Sequence, residues 1–335
     1  MRTRSLLLAA LVAGSLFSLD AFSARAVRAE DTFTIAVVPD TQQEVLDAKD
    51  TRLKDRFQWL VDNRKKLNLK MMLQSGDFMN WDTPDHFQYE RASDALTVLD
   101  KAKLPYMLAI GNHDTAATKQ GGSAAPGNVH DNQRNTTTFN HYFGVARHKD
   151  LEGFYEPGKV DNAFKTFQAG GLNWLAINLE LWARTGAIDW AKTVVASHPN
   201  YNVILVMHSY LSGNNTIEPR NGGYGDNSPQ YIFDNLVKPY PNMRFVFSGH
   251  VAIHGYRTDK GEKGNTVYEF LQTYHSNIDN PVRLFEIDTK KGTIKTHVYC
   301  PSVGKDRDDG SAFTVSGVQW VPVKLDKATA LAGGK

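Results

Sequence analysis

Hydrophobic positions along this chain come in short runs, each closed by a polar cluster, with stretches of helical spacing between them. Thr32–Val38 alternates, is rich in β-branched residues and runs into Pro39-Asp40, which predicts a first strand ending in a polar loop. Over residues 50–67, Leu53, Phe57, Leu60, Val61 and Leu67 recur at helical spacing, with charges on the other face. Residues 70–74 form a second apolar run, closed by Ser75-Gly76-Asp77. The pattern then repeats: residues 85–99 predict a helix and 105–110 a strand, closed by Gly111-Asn112-His113-Asp114. Strands alternating with helices of this length predict an α/β fold layered around a largely buried sheet.

From 115 to about 150 the chain turns polar and rich in Gly, Asn, Thr and His without a clear period, which predicts a long functional loop bordering the site. Residues 163–168 and 172–179 predict a hairpin around Gly170-Gly171, and a helix follows over 188–197. A strand over 202–207 ends in His208; a second Gly- and Asn-rich loop covers 209–227. A short helix over 229–237 leads to a strand over 244–247 that ends in Ser248-Gly249-His250. The last third, with strands over 266–274, 282–288 and 293–299, predicts a meander, and periodicity is weak beyond Pro301 apart from 312–323. There is no internal repeat.

Composition changes this picture mainly at the ends. The 335 residues, 41% hydrophobic and 11% aromatic, suit one large globular domain or a domain with an appendage. Arg2 and Arg4 precede an apolar run from Leu6 to Phe17 and small residues at Ala24, Ala26 and Ala29, the layout of a secretory signal peptide. The run is too short, and Asp20 follows it too closely, for a membrane span. The expected organisation is a signal peptide over 1–29, one main globular domain over 30–301 and a C-terminal extension over 302–335, in a secreted or periplasmic protein. Four cations and one anion go with the leader, so the formal charge moves from +2 to −1 and no basic field remains for a nucleic-acid partner. The single cysteine, Cys300, excludes an intrachain disulfide and reads as an inert core thiol, so any metal must be held by oxygen and imidazole ligands.

Five polar segments share one placement, directly after an apolar strand: Asp40-Thr41-Gln42, Gly76-Asp77-Phe78-Met79-Asn80, Gly111-Asn112-His113-Asp114, His208 and Gly249-His250. In an α/β sheet the carboxyl ends of parallel strands form one rim, so these residues can converge. Their donors suit divalent first-row metals, and the glycines let the backbone turn sharply beside the ions. In order and kind the segments resemble the calcineurin-like metallophosphoesterase family, whose blocks run D-x-H, G-D-x-x-D/N, G-N-H-D/E, H and G-H-x-H. The resemblance spans about Asp40 to His254, and five ordered blocks are far more specific than any one of them. It implies a four-layer α/β sandwich of two mixed sheets flanked by helices, with the metal site on the loop rim at the strand C-termini.

The resemblance further implies two divalent or trivalent metal ions, of Mn, Fe, Zn or a mixture. Asp77 would bridge them, Asn112, His208 and His250 would complete one site, and Asp40 and Gln42 would belong to the other. His113 would stabilise the phosphoryl group or protonate the leaving oxygen, with Asp114 orienting it. Partners would be phosphate-ester small molecules or organic phosphates. Two departures fall on one metal site: Gln42 replaces an imidazole, and Ala252 stands where the last block has its second His. His254 is the expected substitute ligand, reaching in through a two-residue bulge; the alternative is a site short of a ligand. Asn80 at the position of the purple acid phosphatases' tyrosine implies no iron-tyrosine chromophore.

Taken singly, an Asp or Asn after a strand is more often a turn former, and a lone His an ordinary hydrogen-bonded residue. The joint order of the blocks outweighs that bland reading. His86, His130, His141, His148, His198, His275 and His297 sit in no motif and are expected in surface or loop roles, with His130 and His141 placed to touch substrate from the long loop. Trp81, Tyr210 and Tyr224 adjoin the blocks as either pocket lining or core. The rival to an enzyme is a degenerate family member that binds a ligand or partner without turnover.

Overall fold

The structure, a computed structural model, describes residues 31–275 and 278–323. The expected signal peptide lies outside the described residues, as do residues 324–335 of the expected extension. Among the described residues no helix is long and apolar enough to cross a membrane.

Two seven-stranded mixed sheets pack face to face. The first is built around β1 (Thr32–Val38), parallel to β2 (Leu69–Gln74), which is parallel to β3 (Tyr106–Leu108). The second has a parallel centre of β6 (Leu172–Asn178), β7 (Asn202–Val206), β8 (Met243–Ser248) and β10 (Thr266–Gln272). Antiparallel strands complete the second sheet: β4 (Gly153–Phe154) and β5 (Ala163–Ala169) on one side, β9 (His254–Lys260) on the other. On the far side of β1 the first sheet adds β11 (Val282–Asp288) and β12 (Thr293–Cys300), which pairs with β13 (Lys305–Asp306) and β14 (Phe313–Ser316).

Strand alternation sorts the apolar residues into three layers. Phe33, Ile35 and Val37 of β1 pack between the sheets with Trp174, Phe245 and Phe247. Ala36 and Val38 face the other way, towards Phe57 and Leu60 of α1 (Arg52–Leu67) and Leu96 of α2 (Phe87–Ala102). On the outer face of the second sheet, Leu175 and Leu205 pack on Ile188 of α5 (Thr185–Ser197). Both faces of the central strands are therefore buried, which is why they read as apolar runs rather than clean alternation. The result is the expected four-layer α/β sandwich.

Where the elements depart from the sequence expectations, the causes are local or topological. The expected loop over 115–150 contains two short helices, α3 (Val129–Arg134) and α4 (Thr137–Phe143), each too short to establish a period. Asn128 caps α3 by accepting the N–H of His130 at 3.0 Å. Strand β9, HGYRTDK, is an edge strand with five of its seven residues polar, so it has no apolar run. The last third is not one meander: β10 pairs with β8 and β9, and the chain then crosses to the first sheet before β11. The described part of the expected extension is built into the sandwich. β14 runs along β12, Trp320 meets Trp174 edge-on at 5.4 Å, and Val321 exchanges two hydrogen bonds with the Asn202 side chain.

Candidate metal centre

Parallel strands aim their carboxyl ends at one rim, and six potential ligands lie there. Asp40, Asp77 and Asn112 follow β1, β2 and β3 of the first sheet; His208, His250 and His275 follow β7, β8 and β10 of the second. Oxygen donors thus come from one sheet and imidazoles from the other, and the centre is a seam between them. His208 Nε2 lies 3.1 Å from Asp77 Oδ2 and 3.1 Å from His250 Nδ1, while its Nδ1 faces the Ser75 carbonyl at 2.9 Å. On the other side His275 Nε2 lies 3.1 Å from Asp40 Oδ2, which also accepts the His250 backbone N–H at 3.2 Å. Asp77 belongs to both resulting groups, Asp77-His208-His250 and Asp40-Asp77-His275, and within each group the donor atoms all lie within 4.8 Å of one another.

The backbone yields to this geometry. Asp77 and His250 take φ of +52° and +77°, left-handed values uncommon outside glycine that Asp and His tolerate better than most residues. A Cβ on Gly111 would stand 2.1 Å from Asp77 Oδ1, and one on Gly249 2.2 Å from Asp40 Oδ1, so neither position admits a side chain. The glycines of the third and fifth blocks are thus required by the approach of the carboxylates.

Residues 33–254 match the family model for the Calcineurin-like phosphoesterase. The chain belongs to this family. Across 84% of its length it is 28% identical to the uncharacterized protein YvnB of Bacillus subtilis (strain 168); the match covers 21% of YvnB, so the chain spans about a fifth of that relative. Among solved structures, a dimetal phosphatase from Danio rerio superposes with a TM-score of 0.51 at 11% identity, covering 85% of this chain and 98% of that one. GAP50, the anchor in the inner membrane complex of Plasmodium, superposes with a TM-score of 0.45 at 11% identity, covering 90% and 93% of the two chains. The likeness to the Danio rerio structure is one of fold.

The donor set of this calcineurin-like phosphoesterase fits cations. Asp40 Oδ1, Gln42 Oε1 and Asn112 Oδ1 are buried and have no hydrogen-bond partner among the described residues. A buried polar atom left so costs about 1–3 kcal/mol unless another group satisfies it. Carboxylate, amide oxygen and imidazole together suit divalent first-row metals. Burial pushes the Asp40 carboxyl up. It would do the same to Asp77, but the His208, His113 and His250 rings hold that carboxyl well below the usual range. Burial also disfavours a charged His208, yet Asp77 and Asp40 raise it to about 9; His250, buried beside His208, is pushed down to about 4.

His113 and Asp114 take different places. The His113 backbone N–H donates to Asp77 Oδ1 at 3.0 Å, and its ring Nδ1 lies 2.6 Å from the Asn80 carbonyl. A carbonyl can only accept, so Nδ1 carries the proton and Nε2 is the other functional atom. Asp114 does not orient this ring. Its Oδ1 accepts the Met79 N–H at 2.8 Å and its Oδ2 the Gly111 N–H at 2.9 Å, which ties the second and third blocks together. Burial and the nearby Asp77 charge push Asp114 up to about 7.

His254 is not brought to the centre. It opens β9, paired with Gln272, and no bulge turns it inward; its Nε2 lies 3.0 Å from the Asp309 carbonyl. His275, which belongs to no family block, occupies the side Ala252 leaves short. The sequence carries a usable signal, since His275 follows the apolar strand β10 just as the other candidate ligands follow theirs, but it sits in no motif. His130 pairs with Asp226 at 3.1 Å, and Tyr210 is a core residue whose hydroxyl donates to Glu269 at 2.8 Å. Trp182, which the motifs did not indicate, meets His250 edge-on at 5.6 Å and, with Leu211, Val251 and Arg220, lines a cavity of about 480 Å³ beside it.

Proposed function

We propose that this chain hydrolyses phosphomonoester or phosphodiester bonds of small molecules or organic phosphates with two metal ions, Mn, Fe, Zn or a mixture, sharing Asp77. The observation that carries this reading is the membership of Asp77 in both ligand groups. Asn112, His208 and His250 complete one site with it; Asp40, Gln42 and His275 complete the other. Cations bound there would lower the pKa of a shared water and neutralise the phosphoryl oxygens.

The protein's own part is positioning and proton transfer. The Asn80 carbonyl fixes the His113 ring with Nδ1 as the donor to it and Nε2 free; with a proton on Nε2 as well, the imidazolium would donate from that atom to the phosphoryl group or the leaving oxygen. Asp114 holds the loops that carry Asp77 and Asn112. The cavity beside His250 would receive the organic part of the ester. A binder without turnover drew its motive from Ala252 and Gln42, and the imidazole that His275 supplies on that side favours the enzyme. Export is part of the proposal, on the leader-like composition of residues 1–29, and N-terminal sequencing of the mature protein tests it.

The direct test of activity uses a chromogenic phosphomonoester and a diester with added Mn, Zn or Fe, alongside metal analysis. Expected are two bound equivalents and a rate above the metal blank. Blank-level rates with every metal would leave a ligand-binding protein.

A further inference from the structure

His275 follows a residue in an unusual state: Tyr274 has a backbone φ of +45°, which a bulky side chain adopts only when its surroundings over-determine it. Several contacts converge on it. Its ring is stacked on His254, with centroids 5.9 Å apart and planes at 18°, and the Arg307 guanidinium lies 5.2 Å from the ring centroid. His254 and Arg307 are joined through Asp309, whose carbonyl faces His254 Nε2 at 3.0 Å and whose carboxylate accepts Arg307 Nε at 2.9 Å. Arg307 also donates to Asp279 Oδ2 at 2.8 Å, further along the same crossover. On the backbone, the Thr273 N–H donates to the Ile253 carbonyl at 2.8 Å. The crossover is thus gripped on both sides of His275.

We propose that His254, Arg307 and Asp309 form a positioning platform that holds Tyr274 left-handed, aims His275 at Asp40 and so sets the affinity of the second cation site. His254 is then a positioning residue and not a ligand. The physical reason is leverage. If Tyr274 relaxed to an extended backbone, the next Cα–Cβ direction would swing and the imidazole would leave Asp40. The segment after β12, which carries Arg307 and Asp309, becomes part of the site without touching it. This inference rests on the proposed assignment of His275 as a ligand.

The test is calorimetric titration of the full chain with Mn²⁺. Wild type is expected to take two equivalents. His254→Ala and Arg307→Ala should leave the first unchanged and weaken the second about 10–100-fold, the range typical of groups that orient a ligand. His254→Phe keeps a flat ring but offers no donor atom, and should restore near-wild-type binding. Two outcomes overturn the platform: a Phe variant as weak as the Ala variant, which would show that the ring stacked on Tyr274 is not what supports the second site, or no weakening in either Ala variant. Should His254→Ala fail to fold, Arg307→Ala carries the same prediction. His275→Ala separates the two ideas, because two tight equivalents in that variant would remove His275 from the ligand set whatever the platform does.

Discussion

The two flanks of Asp77 are built by different means. On one flank His208 and His250 stand two residues beyond adjacent parallel strands, and the fully buried His208 ring is anchored by the Ser75 carbonyl. On the other, Asp40 is buried but its partner His275 is 41% exposed and lies on the crossover between the sheets. A ligand just past a strand inherits the rigidity of the hydrogen-bonded ladder. A ligand on a crossover needs supports of its own, and here they come from β9 and from the segment after β12.

The largest expected effect collapses the distinction. Asp77→Asn replaces a carboxylate that can serve both flanks with a neutral amide offering one oxygen, so both should fail together. Losing several kcal/mol of transition-state stabilisation implies a kcat lower by on the order of 10³-fold or more, read together with metal content. Unchanged kcat with two metals retained would mean the flanks do not depend on this residue.

His113→Ala should sharpen the comparison by sparing both flanks. Its ring hydrogen-bonds the Asn80 carbonyl, so kcat is expected to fall about 10²–10⁴-fold with metal content intact. Loss of one metal equivalent would place the ring among the ligands instead.

The smallest effect concerns His148, which is not among the proposed ligands and faces Asp150 and Asp100 as well as Arg147 and Lys165. His208 is raised by Asp77 and Asp40, whereas His148, packed edge-on against Tyr106 at 4.8 Å, is lowered by burial from 6.5 to about 4. Above pH 6.5 His148 is neutral folded and unfolded. Below it the unfolded chain takes a proton that the folded chain refuses until about pH 4, so stability is full above 6.5 and falls as pH drops towards 4. The loss is about 3 kcal/mol. His148→Phe should flatten the dependence of unfolding free energy on pH across that window, and an unaltered slope would show the ring is not the source.

The same contrast explains what the sequence made legible. Val38, Gln74, Met207 and Ser248 end apolar runs, and the Asp or His that follows each was readable from local pattern because burial on both faces makes those strands conspicuous. Asn112 followed the same rule. His275 obeys it too, but the sheet to which β10 belongs is fixed by pairing with β8, a contact between distant segments that periodicity does not encode. His254 was singled out by its closeness to the last block along the chain, and the φ of +57° at Ala252 helps carry it elsewhere. The role expected of Asp114 failed for a similar reason, since neighbours in sequence need not face one another, and its two backbone partners were invisible without the loops.

The division of donors between the sheets has a thermodynamic consequence. Between the sheets the sandwich is joined by apolar side chains, whose cohesion travels with the chain wherever it goes. At the rim, the two halves can also be joined through a third party. A cation that binds the folded seam and not the unfolded chain adds RT ln(1 + [L]/Kd) to the free energy of unfolding, about 2.7 kcal/mol when its concentration is a hundredfold above Kd. With cations bound in the seam, the resistance of this protein to unfolding would be partly a property of its surroundings, rising and falling with the metal content of the medium at constant sequence.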